Sequence, residues 1–290
     1  MLRVAILGST GQLGCDLTKA LEISGEFEVV ALGHDQADCT SAASIGKILL
    51  QHRPQTVVNC AAFVRVDDCE DQARDAFEVN ALGALNVARA CAEIAAGCVY
   101  ISTDYVFDGT KNAPYVESDA PGPINVYGAS KLAGEWLTRQ AAPRWLIFRV
   151  ASLFGQSGAR GKGGNFIETI LAKAKRGEPL RVVDDISISP TYTRDASVAL
   201  RELLQCGATG IIHSSNGGVC SWYQFAKAAL ELCGIDAPVQ AVSSAQFPTR
   251  ARRPKNSALA SEARGSTLRH WQDALRGYLV EKGHINSSLR

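Results

Sequence analysis

Apolar residues in this chain come in short runs, separated by stretches where they recur at every third or fourth position. The runs at 2–7, 27–32, 56–60, 98–102 and 145–150 are mostly apolar rather than strictly alternating, which marks strands covered on both faces. Between them, 13–24, 40–52, 71–95 and 129–140 carry helical spacing, with Thr40 expected to cap the second of these and Pro54 following its end. Strand alternating with helix predicts an α/β fold, a doubly wound parallel sheet of the Rossmann-like, dinucleotide-binding kind.

Beyond Val150 the pattern loosens. A glycine-rich stretch at 155–164 is expected to be a mobile loop, followed by a helix at 165–176, a strand at 181–185 and a helix at 222–233. The segment 247–257 is basic and punctuated by proline, so it should resist regular structure, and 286–290 should fray. The expected division is a dinucleotide-binding domain over 1–150, with segments of about 181–215 able to return to it. A smaller, mainly substrate-binding domain over 151–290 would close over the carboxyl edge of the sheet.

Composition narrows the partners. The 290 residues are 46% hydrophobic and 20% charged with a formal net charge of +1. That balance gives no electrostatic reason to expect nucleic acid or a membrane surface. The first residues run straight into a strand without a signal-peptide pattern, and no apolar run is long enough to cross a bilayer. The nine cysteines are scattered without a C-x-x-C pair, so reduced, buried thiols, no metal site and a cytoplasmic location are expected.

Gly8-Ser9-Thr10-Gly11-Gln12-Leu13-Gly14 sits between the first strand and the first helix. Glycines there let the backbone turn tightly and approach a pyrophosphate, and the helix start offers unpaired N–H groups. Gly8, Gly11, Gln12, Leu13 and Gly14 are therefore the expected cofactor contacts. The second strand ends in Gly33 and His34, without the acidic residue that NAD-selective sites often place there, so NADPH is favoured, with NADH as the alternative.

Tyr127 and Lys131 stand four apart at the start of a predicted helix, which puts both on one face. A ketone reductase needs a proton donor for the oxygen that gains charge as hydride arrives. A tyrosine fits once a neighbouring ammonium and the cofactor's positive charge lower its pKa toward neutrality. Thr103, at the carboxyl end of the strand 98–102, would offer a hydroxyl to the same oxygen. Tyr127, Lys131 and Thr103 are the expected catalytic set, with Tyr127 and Lys131 also touching the cofactor.

With those residues in place, the chain resembles the dTDP-4-dehydrorhamnose reductase family of the extended short-chain dehydrogenase/reductase superfamily. The resemblance runs over nearly the whole chain. It is carried most specifically by Ile101-Ser102-Thr103-Asp104-Tyr105-Val106-Phe107-Asp108-Gly109, Asn125-Val126-Tyr127-Gly128 and Ser130-Lys131-Leu132-Ala133-Gly134-Glu135. Asn59-Cys60-Ala61-Ala62, Val79-Asn80-Ala81, Pro190-Thr191-Tyr192 and Arg253-Pro254-Lys255-Asn256-Ser257 agree as well. It implies NADPH-dependent reduction of the 4-keto group of a nucleotide sugar, with Tyr127 as proton donor. It implies further that Ala61 and Ala62 line the cofactor, with Asp38 and Cys39 near the adenine. Val66, Asp104 and Tyr105 would face the sugar, and Asn165 and Arg253 the nucleotide diphosphate.

Two positions depart from the family pattern. Leu153 stands where many members have a tryptophan, and Val64 where a hydroxyl residue is frequent, both near the expected sugar pocket. The alternatives are a reductase of another nucleotide-linked keto-deoxysugar, or a non-catalytic, NADP-binding regulatory subunit resembling that of methionine adenosyltransferase. An epimerase or dehydratase on the same scaffold is a further alternative, the dehydratase being disfavoured because Tyr105, not a glutamate, follows Asp104. A homodimer is left open. Glu117, Asp119 and Glu168 are expected to be solvated rather than to hold a metal.

Overall fold

A computed structural model describes residues 1–158, 164–263 and 268–286. Its centre is a six-stranded parallel sheet. Five strands come from the first half: β1 (Leu2–Leu7), β2 (Phe27–Leu32), β3 (Thr56–Asn59), β4 (Gly97–Thr103) and β5 (Trp145–Val150). The sixth, Gly210–Ser214, arrives from much later in the chain and pairs with β5. Across the sheet the order is β2, β1, β3, β4, β5 and then Gly210–Ser214.

The period-two geometry of a strand divides each apolar run between two cores. Val4 and Ile6 of β1 face one side, where α1 (Gln12–Ser24) buries Leu13, Leu17 and Leu21. Ala5 and Leu7 face the other, against Ile45 and Leu49 of α2 (Ala42–His52). Helices on both faces are why these strands carry apolar residues at consecutive positions.

Between β3 and β4 the expected single helix at 71–95 is broken. The chain forms α3 (Val66–Asp71), α4 (Ala73–Phe77), a π-helical turn at Glu78–Leu82 and α5 (Gly83–Glu93). The wide turn has a local cause in Asn80, whose side chain is fully buried and holds the backbone of Phe63 at both ends. Its Oδ1 accepts from Phe63 N at 2.8 Å, and its Nδ2 donates to Phe63 O at 3.1 Å and to Ser130 Oγ at 2.9 Å. Thr40 does not cap α2: Ser41 does, accepting from Ser44 N, while the Thr40 hydroxyl donates to Asp38 Oδ1 at 2.8 Å.

α6 (Val126–Ala141) starts three residues earlier than the apolar spacing indicates, because Asn125 caps it by accepting from Gly128 N at 2.8 Å. The later part adds α7 (Phe166–Lys175), α8 (Thr193–Gln205), α9 (Trp222–Leu232) and α10 (Trp271–Glu281). α8 joins the sheet's first core through Ala196, Leu200 and Leu204. The others enclose a separate aromatic core in which Phe154 lies 5.4 Å from Tyr192 and 5.5 Å from Tyr278, ring centre to ring centre. α10 lies beyond any element that the sequence pattern indicated. Residues 247–257 have no helix or long strand, as expected. Part of the expected glycine-rich loop (159–163) and of the expected frayed tail (287–290) lies outside the described residues.

Candidate active site

The carboxyl ends of β1 to β4 open into a cavity of about 710 Å³. Its walls bring together Gly8, Gly11, Gln12, Leu13 and Gly14 from the first turn, Asp38 and Cys39 beyond β2, and Ala61 and Ala62 beyond β3. Thr103, Asp104 and Tyr105 enter from the end of β4, Tyr127 and Lys131 from α6, and Val66 and Asn165 from the flanks. Arg253 instead lines an adjoining cavity of about 970 Å³, which shares Val66, Tyr105, Phe166, Thr169 and Trp222 with the first.

The first turn is shaped for a phosphate. Gly8 has φ +71°, and a Cβ on Gly14 would collide with Gly8 O and stand 2.9 Å from Ser9 Cα. The start of α1 has no side-chain cap at Gly11, so its first amides point outward for an anion. A dinucleotide's pyrophosphate fits this turn. Gly14→Ala is expected to displace backbone rather than a flexible side chain, costing about 1–3 kcal/mol of stability. Cofactor affinity should fall at least tenfold, and calorimetric titration with NADPH alongside thermal melting checks both.

At the other end, Tyr127 and Thr103 meet. Gly128 lets the first turn of α6 press against Tyr105 O, since a Cβ there would collide with that oxygen. This seats Tyr127 beside Tyr105, with ring centres 6.0 Å apart and edge to face. Burial raises the Tyr127 pKa; a hydrogen bond with Thr103 opposes the rise and nearby Asp104 adds to it. In the chain alone the phenol pKa is raised, because desolvation outweighs the Thr103 hydrogen bond, and the expected lowering would need the positive charge that a bound cofactor brings. A phenol that keeps its proton at neutral pH is the form a donor needs. Burial also raises Asp104 to about 6, opposed by the nearby Ser257 hydroxyl and by the hydrogen bond that Thr103 Oγ1 donates at 3.0 Å.

Lys131 is buried, donating to Ile101 O at 2.7 Å with its ammonium 4.1 Å from the Tyr100 ring centre. Burial pulls its pKa down to about 7, with Glu135 the largest opposing influence. An unfolded lysine titrates near ~10.4, so between about 7 and that value the unfolded chain binds more protons. Stability therefore rises with pH across this window, and below it the buried ammonium is a burden. Lys131→Met is expected to raise the melting temperature by roughly 4 °C at pH 6 and much less at pH 10, while weakening cofactor binding. Melting curves at the two pH values check the sign.

One turn along α6, Glu135 forms a buried ion pair with Arg149 of β5. Arg149 Nε donates to Oε1 at 2.8 Å and Nη2 to Oε2 at 2.7 Å. Ser102, next to Thr103, donates to the same Oε1 at 2.5 Å. Arg149 Nη1 lies 3.3 Å from His213 Nε2. Burial holds His213 below its ordinary pKa, and its Nδ1 lies between Tyr115 O at 3.1 Å and Ala260 O at 2.9 Å. The neutral ring thus carries its proton on Nδ1 and accepts from Arg149. This network ties β4, β5, α6 and the sixth strand of the sheet together, next to the cavity-lining Thr103 and one helical turn from Lys131.

The residues expected on the substrate side are already engaged within the chain. Asn165 caps α7 by accepting from Glu168 N at 3.0 Å, and donates to Gly155 O at 3.0 Å and to Tyr278 Oη at 2.8 Å. Arg253 pairs with Asp67 at 2.9 Å, and Arg250 pairs with Asp68 at 2.7 Å and with Asp71. Glu117 is not simply solvated: it accepts from His213 N at 2.8 Å, from Ser261 Oγ at 2.5 Å and from Glu262 N at 2.8 Å. Asp119 pairs with Lys111 and Glu168 with His284. Among the described residues no group of three His, Cys, Asp or Glu is gathered as for a metal ion, and no helix is long and apolar enough to cross a membrane. Among the lining residues that spacing did not single out are Thr10, Phe63, Phe166, Thr169 and Trp222. Their only sequence signal is apolar or hydroxyl character at helix starts and strand ends.

A family model described as RmlD substrate binding domain matches residues 2–283. The chain is 39% identical over 285 residues to the spore coat polysaccharide biosynthesis protein SpsK of Bacillus subtilis, covering 97% of this chain and 98% of that one. It is 39% identical over 295 residues to a dTDP-4-dehydrorhamnose reductase of Mycobacterium tuberculosis, covering 98% and 95% of the two chains. The crystal structure of a dTDP-4-dehydrorhamnose reductase from Bacillus anthracis in complex with NADP superposes with a TM-score of 0.92 at 35% identity. It covers 97% of this chain and 100% of that one.

Proposed function

The chain belongs to the RmlD substrate binding domain family, and from that premise we propose that it reduces the 4-keto group of dTDP-4-dehydro-L-rhamnose to give dTDP-L-rhamnose. NADPH, when bound, supplies the hydride. One observation carries the reading: the glycine turn after β1 and the Thr103, Tyr127 and Lys131 side chains line the same cavity, with β3 lying between β1 and the Thr103 strand. With a pyrophosphate in the turn, a nicotinamide could reach the tyrosine across that cavity.

Tyr127 gives its proton to the sugar oxygen as negative charge develops there, and Thr103 donates a hydrogen bond to the same oxygen. Proton donation of this kind contributes about 10² to 10⁴ in rate. Lys131 would hold the ribose hydroxyls of the cofactor, its ammonium placed by the Ile101 carbonyl and the Tyr100 ring. The sugar end is walled by Val64, Val66 and Leu153, and the nucleotide extends past Tyr105 and Phe166 toward the cavity that Arg253 lines.

The test is absorbance at the reduced-nicotinamide band with NADPH and dTDP-4-dehydro-L-rhamnose. Substrate-dependent loss with dTDP-L-rhamnose as product supports the reading. Tight NADPH binding without loss, across a panel of nucleotide keto sugars, would replace it with a regulatory subunit.

A further inference from the structure

A hydroxyl group carries one hydrogen, and the hydrogen of Thr103 is already committed. Thr103 Oγ1 donates to Asp104 Oδ1 at 3.0 Å and accepts from Tyr105 N at 3.2 Å. Held this way, the oxygen has no proton left to offer a substrate. We propose that Asp104 is a positioning residue that gates this hydroxyl. As a carboxylate it keeps the Thr103 proton; as a neutral acid it donates to Thr103 Oγ1 and frees that proton for the sugar oxygen. The inference deepens the reduction proposed above and rests on it.

The surroundings bring the neutral acid within reach. Asp104 is 4% exposed, and its Oδ2 is buried with no hydrogen-bond partner among the described residues. A carboxylate so poorly compensated favours its protonated form, and burial is what lifts Asp104 to about 6. The titratable groups facing it are Tyr105 on its own turn and Tyr127 on α6. Burial holds both phenols above their ordinary range, so neither carries charge near neutrality. From the segment 247–257 comes the Ser257 hydroxyl, itself buried and unpartnered, which can donate to the oxygen that Thr103 leaves free. Arg253 and Asp67 lie one layer out and act on Tyr105, and no lysine or arginine is among the main influences on Asp104.

Thr103 is also a hydrogen-bond neighbour of the Tyr127 phenol, and Thr103, Asp104 and Tyr127 line one cavity. Releasing the Thr103 proton therefore adds a second donor beside the one that Tyr127 supplies. The sign follows: the contribution of Thr103 is present below the Asp104 pKa and is lost as pH rises through it.

The experiment measures kcat/KM, which reports the free enzyme, from about pH 5 to about pH 8. It compares the wild-type chain, Thr103→Val, Asp104→Asn and the double variant. Dividing the rate of each chain that keeps Thr103 by that of its Thr103→Val counterpart isolates the hydroxyl and cancels the separate titration of Lys131. With Asp104 present, the ratio should be about tenfold or more at the acid end, the scale of one hydrogen bond to a charged group, and fall towards one at the alkaline end. With Asp104→Asn, whose amide does not titrate, it should stay flat. A ratio independent of pH with Asp104 present, or one that falls equally with Asp104→Asn, would overturn the gate and leave the reduction intact. The carboxyl carbon resonance of Asp104, in chain labelled with carbon-13 aspartate, gives a second reading that needs no turnover. Thr103→Val should move its titration midpoint upward, because the carboxylate loses a donor. An unmoved midpoint would also overturn the gate. A wild-type chain that reduces no nucleotide keto sugar would overturn the reduction, with the coupling of Thr103 to Asp104 still decided by the resonance.

Discussion

Replacing Tyr127 by phenylalanine is expected to lower turnover by about 10² to 10⁴ while leaving NADPH affinity within about threefold. The ring stays, so its edge-to-face contact with Tyr105 at 6.0 Å between centres is kept. Only the proton is lost. The raised pKa of the phenol gives the effect its direction: near neutrality the group is protonated and poised to donate, so the wild-type chain pays no penalty to load it. Steady-state rates with saturating NADPH, beside a direct binding titration, separate the two quantities. Turnover within a fewfold of wild type would remove Tyr127 from the chemistry.

The second large effect is structural. Glu135→Ala leaves the Arg149 guanidinium buried without its carboxylate, and removes the acceptor of the Ser102 hydroxyl as well. Breaking a buried pair from one side costs about 3–5 kcal/mol, because the remaining charge is uncompensated. The pair itself is worth far less than that. The double variant Glu135→Leu with Arg149→Met, apolar on both sides, should therefore recover most of the loss. Chemical denaturation of the two variants checks this. If the double variant is less stable than Glu135→Ala, the uncompensated-charge explanation fails.

Much of this site was legible because its parts are local. The glycine turn is a seven-residue pattern between a strand and a helix, and Tyr127 and Lys131 are one helical turn apart. Thr103 ends a strand whose apolar run announces it. What escaped depends on contacts remote in sequence. Arg149 meets Glu135 and His213 across three elements, and Arg253 meets Asp67 across most of the chain. The π-helical turn arises from what Asn80 grips, the Phe63 backbone and Ser130, and no periodicity within 71–95 encodes that. The burial of Tyr127, which raises its phenol pKa in the chain alone, escaped for a related reason: sequence names the groups near a side chain but not the depth at which they lie. α10 is the exception, since its buried face, Trp271, Ala274, Leu275, Tyr278 and Leu279, recurs at i, i+3, i+4, i+7 and i+8, the local spacing of an amphipathic helix, although no element was expected there.

The most direct test of the account follows a single hydrogen. NADPH carrying deuterium at the transferable position of nicotinamide C4 is mixed with the enzyme and dTDP-4-dehydro-L-rhamnose, and the product is read by mass and proton resonance. The account predicts one deuterium per molecule of dTDP-L-rhamnose, bound at sugar C4, and no carbon-bound deuterium at C4 when unlabelled NADPH is used in heavy water. Product without the label at C4, or no product despite bound NADPH, would contradict direct hydride transfer to the keto carbon in this cavity.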